Sequence, residues 1–301
     1  MGKGGDRGLK SKTLVLVFVL VIVAAVPIGI VVYERYRALT TKQTVLKSLI
    51  YDEGTRTYYE RVPLSYNGSS PVALVIMLHG AGSDGQAYEM ATNWSTLAET
   101  YNFIIVYPNS EKLVKYGGQA WWNAYDWNES SFPDDHGFLM ALIDKLKSDY
   151  NIDDSRVFMT GHSNGASMAI SFALKYTKVL AAIAPASSAW MTGDPMYDID
   201  PQSVPQPNAP IPVYMWRGEV ETWPDADEDQ LHLQYWLDWN HASKTPRTVT
   251  DGIYTTEIYT GGYAEVRYTT IENRGHNTYD SQTAKKIWGD FFSRISREPS
   301  A

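Results

Sequence analysis

The chain has 301 residues, 44% of them hydrophobic, enough for one α/β domain with a sizeable core plus an appendage. No cysteine is present, which excludes disulfides, thiolate metal sites and a cysteine nucleophile. The first 50 residues carry eight Lys or Arg and two acids, so within a net charge of −8 the remainder stands at −14; an acidic body argues against nucleic acid, whose phosphates are bound chiefly by Lys and Arg.

Residues 1–12 form a basic flank. Residues 13–33 are an uncharged, almost unbroken apolar run, which as a helix would span about 31 Å, close to a bilayer's hydrocarbon thickness. The run continues past the small-residue site Val23-Ala24-Ala25 to Val32, longer than a usual signal core. It is therefore read as an uncleaved transmembrane anchor, with a cleaved signal peptide as the alternative. Lys3, Arg7, Lys10 and Lys12 before the run outnumber Arg35 and Arg37 just after it, so the body is expected on the outer face of the membrane. Sequons at Asn67, Asn93 and Asn128 are compatible with that exposure. Residues 34–48 read as a polar, basic stalk, and residues 49–299 as the globular domain.

Residues 51–66 alternate polar with apolar side chains, suiting two antiparallel edge strands. Residues 73–78 are continuously apolar, as a strand covered on both faces should be, and end in His79-Gly80-Ala81-Gly82. A helix is expected over 94–101, a buried strand over 103–107, and then a loop rich in Trp and Asn that holds Trp121, Trp122 and Trp127. Asp134 and Asp135 open a helix with Phe138, Leu142 and Leu146 on its apolar face. Further strands are expected over 179–184, 211–216, 254–259 and 265–271, with a surface loop over 186–210 and a helix over 228–239. A last helix aligns Ala284, Ile287, Trp288, Phe291, Phe292 and Ile295 on one stripe. Strands alternating with helices predict a mostly parallel sheet with helices on both faces.

Between an apolar β-rich run and a small-residue helix lies Gly161-His162-Ser163-Asn164-Gly165, a Gly-x-Ser-x-Gly turn that would present Ser163 at the carboxyl edge of the sheet. A serine hydroxyl needs an imidazole to take its proton, and that imidazole needs a carboxylate. Of six histidines, only His276 follows a late strand and precedes the final helix. The acid should lie just beyond the strand at 211–216. Glu221 is chosen there, with Glu219 and Asp225 as competitors. Amides of Asn164 and Ala81 are the expected donors to an oxyanion. Trp122, Trp223 and His162 are assigned to substrate binding, the tryptophans as part of an aromatic platform that includes Trp121, Trp127 and Trp190. No metal ligand set and no cofactor are expected.

These residues resemble the polyhydroxybutyrate depolymerase and feruloyl esterase branch of the α/β-hydrolases. The likeness runs over most of residues 70–190, through Leu78-His79-Gly80-Ala81-Gly82, Asp135-His136-Gly137-Phe138, the stretch from Asp153-Asp154-Ser155-Arg156-Val157 to Ser163-Asn164-Gly165-Ala166, and Ala181-Ala182-Ile183-Ala184-Pro185. The resemblance implies an α/β-hydrolase fold and carboxylic ester hydrolysis at the cell surface or after secretion, on hydroxycinnamate esters or polyesters, aromatic ones included. A monomer is expected. Around the acid the family pattern His-Gly-Thr-x-Asp is here Arg217-Gly218-Glu219-Val220-Glu221, and Asn277-Thr278-Tyr279 follows the histidine where the family has Trp-Pro. A serine peptidase of the same fold and a non-catalytic binding module are the competing readings.

Overall fold

The computed structural model describes residues 43–114, 117–124, 132–188 and 207–297. A hairpin of β1 (Val45–Tyr51) and β2 (Gly54–Arg61) leads to β3 (Val72–Leu78), α1 (Gly85–Thr92), α2 (Trp94–Tyr101) and β4 (Ile104–Pro108). A small hairpin of β5 (Glu111–Leu113) and β6 (Gln119–Trp121) precedes α3 (Asp135–Asp149), β7 (Ile152–His162), α4 (Asn164–Lys175) and β8 (Ala182–Ala186). Then come β9 (Val213–Gly218), α5 (Ala226–Trp239), β10 (Arg247–Asp251), β11 (Tyr254–Tyr259), β12 (Val266–Ile271) and α6 (Ser281–Asp290), followed by a 3-10 turn over Phe292–Arg294.

Ten strands form one sheet in the order β1-β2-β4-β3-β7-β8-β9-β12-β11-β10. From β4 to β12 every pairing is parallel; antiparallel strands occupy both margins. The period of two along a strand assigns β3 to two cores. Leu74, Ile76 and Leu78 pack with Phe138 and Leu142 of α3, Met168 and Ile170 of α4 and Trp236 of α5. Val75 and Met77 face the other way, into Trp94 of α2, Ile287 and Trp288 of α6, and Phe292. Every residue of β3 is therefore buried, which explains its uninterrupted apolar sequence.

Helix starts follow capping chemistry. The Asp134 side chain accepts the Gly137 amide at 2.9 Å, and Asp225 opens α5 with a reciprocal capping box to Glu228. Asp135, expected as a second capping acid, is instead fully buried and bonded to Arg56 at 2.5 Å and to the Asn123 amide at 2.7 Å.

Some boundaries differ from expectation. β1 begins at Val45, inside the stretch read as stalk, because Val45 and Leu46 are an exposed margin of a hairpin rather than a linker. The strand expected over 179–184 runs over Ala182–Ala186, since Val179 still closes a turn onto Tyr176. The last helix stops at Asp290; Phe291 and Phe292 remain buried, and Phe292 stacks on Phe158 with centroids 4.5 Å apart. β10 was not anticipated: all five of its residues are exposed, so no apolar alternation marks it.

The apolar run at 13–33, Trp127, Asn128 and Trp190 lie outside the described residues. Among the described residues, no helix is long and apolar enough to cross a membrane.

Candidate active site

The centre of the site is the junction of β7 and α4. Ser163 has φ +54° and ψ −126°, a strained geometry for a residue with a Cβ, and its amide is tied to the Ala186 carbonyl at 2.9 Å. The two flanking glycines are required by space. A Cβ on Gly161 would meet the Gly165 carbonyl oxygen at 2.4 Å, and one on Gly165 would meet the Leu78 and His79 carbonyl oxygens at 2.4 Å. Strand, turn and helix can approach this closely only without those side chains.

Glu221 and His276 come from loops after β9 and β12, parallel neighbours whose ends pair Gly218 with Ile271. His276 Nε2 lies 2.8 Å from Ser163 Oγ, and Nδ1 lies 2.6 Å from Glu221 Oε1 and 3.0 Å from the Trp223 carbonyl oxygen. The partners fix the tautomer. Both neighbours of Nδ1 only accept, so Nδ1 carries the hydrogen and Nε2 accepts from the Ser163 hydroxyl. The Glu221 side chain is fully buried while that of His276 is 42% exposed, so the charge is shielded and the ring is reachable.

The other two acids do different work. Glu219 accepts the Asn273 amide at 2.9 Å, and Asp225 accepts the Asp227 and Glu228 amides at 2.9 Å at the start of α5. Of the three carboxylates considered from sequence, Glu221 is the one that reaches the imidazole.

The second oxygen of Glu221 accepts the Gly218 amide at 3.0 Å and the Ser187 hydroxyl at 3.1 Å. Ser187, buried with φ +55° at the end of β8, also bonds Thr278 at 2.5 Å. Arg217 donates to the Glu221 carbonyl at 3.0 Å and to the Gly218 carbonyl at 3.1 Å. Sequence reasoning missed Ser187 and Thr278. The available signal was position: Ser187 follows an apolar strand directly, as Ser163 follows its own.

Ala81 lies in the loop after β3, and Asn164 is the first residue of α4. His79 explains the orientation of the Ala81 amide. Its Nε2 accepts the Ser110 amide at 3.1 Å, so Nδ1 holds the hydrogen and donates to the Gly80 carbonyl at 2.8 Å. In a trans peptide the C=O and the next N–H point in opposite directions. With the Gly80 oxygen drawn inward, the Ala81 N–H is turned outward, and it makes no hydrogen bond among the described residues. Asn164 carries the first backbone amide of α4. Its side chain holds the Trp-rich loop, accepting the Trp122 amide at 2.7 Å and donating to the Trp122 carbonyl at 3.1 Å.

One substrate-binding assignment, Trp122, does not hold. Trp122 is fully buried, with Nε1 donating to the His79 carbonyl at 3.0 Å; it supports the loop over 79–82 from within. His162 has both ring nitrogens engaged, Nδ1 with the Tyr88 hydroxyl at 2.8 Å and Nε2 with the His276 carbonyl at 2.5 Å. Trp223 is half-buried and stands edge-on to His276, centroids 5.4 Å apart.

Four imidazoles are held neutral by burial: His79 and His162 are pulled down to about 4, His136 and His232 to about 3. In the unfolded chain each titrates near ~6.5, so unfolding takes up protons below that pH. Their contribution is therefore intact at neutral pH and is lost as the pH falls towards the folded values. Asp229, raised to about 6 by burial, and Asp135, also raised by burial, act in the opposite sense. Four groups outweigh two, so on balance unfolding takes up protons near pH ~5 and stability falls as the pH falls. Tm should fall steadily from pH ~7 to ~4.5; a flat or rising Tm would refute the neutral burial of these rings.

The sheet order and the strained serine turn between β7 and α4 are those of the α/β-hydrolase fold. Within it, residues 65–208 match the Phospholipase/Carboxylesterase family. A bifunctional acetylxylan esterase/xylanase of Neocallimastix patriciarum is 24% identical over 79% of this chain and 33% of its own length. Poly(3-hydroxyalkanoate) depolymerase C of Paucimonas lemoignei is 32% identical over 44% of this chain and 31% of its own. The chain thus spans about a third of the length of these two curated relatives. Among solved structures, an acetyl xylan esterase from Aspergillus awamori shares the fold with a TM-score of 0.63 at 19% identity, over 83% of this chain and 99% of that one.

Proposed function

We propose that this protein hydrolyses carboxylic esters through an acyl-enzyme on Ser163. The observation that carries the reading is the unbroken Ser163–His276–Glu221 hydrogen-bond chain beside an outward-turned Ala81 amide. His276 Nε2 takes the hydroxyl proton as Ser163 Oγ attacks the ester carbonyl, and Glu221 stabilises the imidazolium that forms. The amides of Ala81 and Asn164 hold the developing oxyanion, each donor of this kind contributing roughly 10²- to 10³-fold in rate. His276 then protonates the leaving alcohol, and water attacks the acyl-enzyme by the reverse sequence. No step needs a cofactor.

The substrate class we infer is a hydroxycinnamate ester or a polyester, in keeping with relatives named for acetylxylan and poly(3-hydroxyalkanoate) and with Trp223 beside His276. Turnover of p-nitrophenyl acetate, methyl ferulate, hydroxybutyrate oligomers, an aryl polyester and a peptide panel tests both levels. Ester turnover without peptide cleavage is expected; cleavage of peptides alone would favour the peptidase reading, and no turnover the binding module. Trp223→Ala should raise KM for aryl esters about fivefold more than for alkyl esters, whereas equal effects would remove it from the acyl-binding surface. We further infer that residues 13–33 anchor the domain at the outer face of a membrane. Carbonate-resistant membrane association of the full chain, lost on deleting that run, is the expected result; release of the intact chain by carbonate contradicts it.

A further inference from the structure

Beneath the Ser163–His276 pair runs a second hydrogen-bonded chain that the hydrolytic scheme does not use. Tyr88 stands on α1, just after the oxyanion loop, and His162 is the last residue of β7, next to the nucleophile. His162 Nε2 lies 2.5 Å from the His276 backbone oxygen, and Nδ1 lies 2.8 Å from the Tyr88 hydroxyl. A carbonyl can only accept, so Nε2 carries the hydrogen. Nδ1 is then the acceptor, and the Tyr88 hydroxyl donates to it. The Tyr88 hydroxyl lies directly against Gly80, where a Cβ would come within 2.8 Å of its oxygen. A hydrogen-bonded run therefore leads from Tyr88, packed against Gly80, through His162 to the carbonyl of His276.

The run joins two loops that the sheet keeps apart. The oxyanion loop follows β3 and the His276 loop follows β12, with β7, β8 and β9 between them. Attack on a carbonyl requires the base and the oxyanion donors to be set together, and a misplacement of about 1 Å can lower the rate about 10²-fold.

We propose that Tyr88 and His162 are positioning residues, forming a strut that sets the spacing between the oxyanion loop at Gly80-Ala81 and the general-base loop at His276. The proposal rests on the roles given above to Ala81 and His276. Neutrality of the His162 ring belongs to the design. A protonated ring could not accept from Tyr88, and it would place a second positive charge beside His276, whose ring centroid is 5.0 Å away. Burial, which pulls His162 down to about 4, keeps it neutral across the working range. One end rests against the Gly80 backbone and the other holds the His276 carbonyl, so the residues act through the catalytic loops rather than on the ester.

The test uses Tyr88→Phe, His162→Leu, the double variant and His162→Gln, with p-nitrophenyl butyrate as substrate. Each of the first two should lower kcat about 10- to 100-fold with KM within about threefold of wild type. The double variant should fall no more than about threefold below the weaker single, because either change breaks the same run. His162→Gln, whose amide again offers a donor towards the carbonyl, should recover most of kcat, a distinction that a packing role would not make. Histidine ¹⁵N NMR supplies a readout that needs no substrate: wild-type His162 should appear as the Nε2-protonated tautomer, and the His276 proton shared with Glu221 should broaden or vanish in Tyr88→Phe. Full kcat together with an unchanged His276 proton in Tyr88→Phe would overturn the strut, as would additive effects in the double variant. If the wild type turned over no ester, the hydrolase reading would fall, and the His276 proton would still decide the strut.

Discussion

Ser163→Ala should lower kcat about 10⁴- to 10⁶-fold on any ester the wild type accepts. The expectation follows from the geometry of the hydroxyl, which lies 2.8 Å from a nitrogen that can only accept. The loss should come without unfolding. Alanine retains the Cβ, the backbone stays at φ +54°, and the amide bond to Ala186 does not involve the side chain. Stability should therefore stay within about 1 kcal/mol of wild type. Thermal melts beside steady-state kinetics check both halves. A variant that melts normally and keeps a tenth of the activity would show that the nucleophile lies elsewhere.

Glu221→Gln should reduce kcat about 10³- to 10⁴-fold. The mechanism is a change of tautomer. An amide facing His276 Nδ1 presents N–H, which favours Nδ1 as an acceptor and shifts the ring hydrogen to Nε2, where Ser163 needs a lone pair. The buried carboxylate that offsets the imidazolium charge is lost in the same step. Glu219→Gln and Asp225→Asn are the controls, each expected to keep kcat within about threefold. Glu219 holds the Asn273 amide, and asparagine caps a helix nearly as well as aspartate. Kinetics on the three variants decide the assignment: loss of turnover in Glu219→Gln with Glu221→Gln active would move the triad acid.

What was legible in the sequence follows what depends on local chemistry. The elbow could be read because Gly161 and Gly165 are forced by backbone crowding that any such turn imposes. β3 and β4 could be read because a strand covered on both faces has no polar residue to spare. His276 emerged by elimination on chain order. The acid was left among three carboxylates because spacing along a loop does not say which side chain turns inward; Ser187, Gly218 and Arg217 decide that, and they meet Glu221 only once β8 and β9 pair.

The misplaced substrate residue Trp122 fails for a related reason. It sits in a segment on the active-site side, but a large aromatic at such a place can face the core as readily as the cleft. Here Trp122 closes the underside of the loop over 79–82 through the His79 carbonyl, and His162 is committed at both nitrogens. Composition carries no trace of these partners. β10 escaped notice because edge pairing to β11 needs only backbone groups, not an apolar face.

Labelling with a fluorophosphonate, followed by mass spectrometry of the modified peptide, tests the central claim most directly. One adduct per chain on Ser163 is expected in the wild type, slowed by orders of magnitude in His276→Ala, where the proton acceptor is gone. An intact protein that takes up no label, or that carries it on another side chain while Ser163 stays unmodified, would contradict the account.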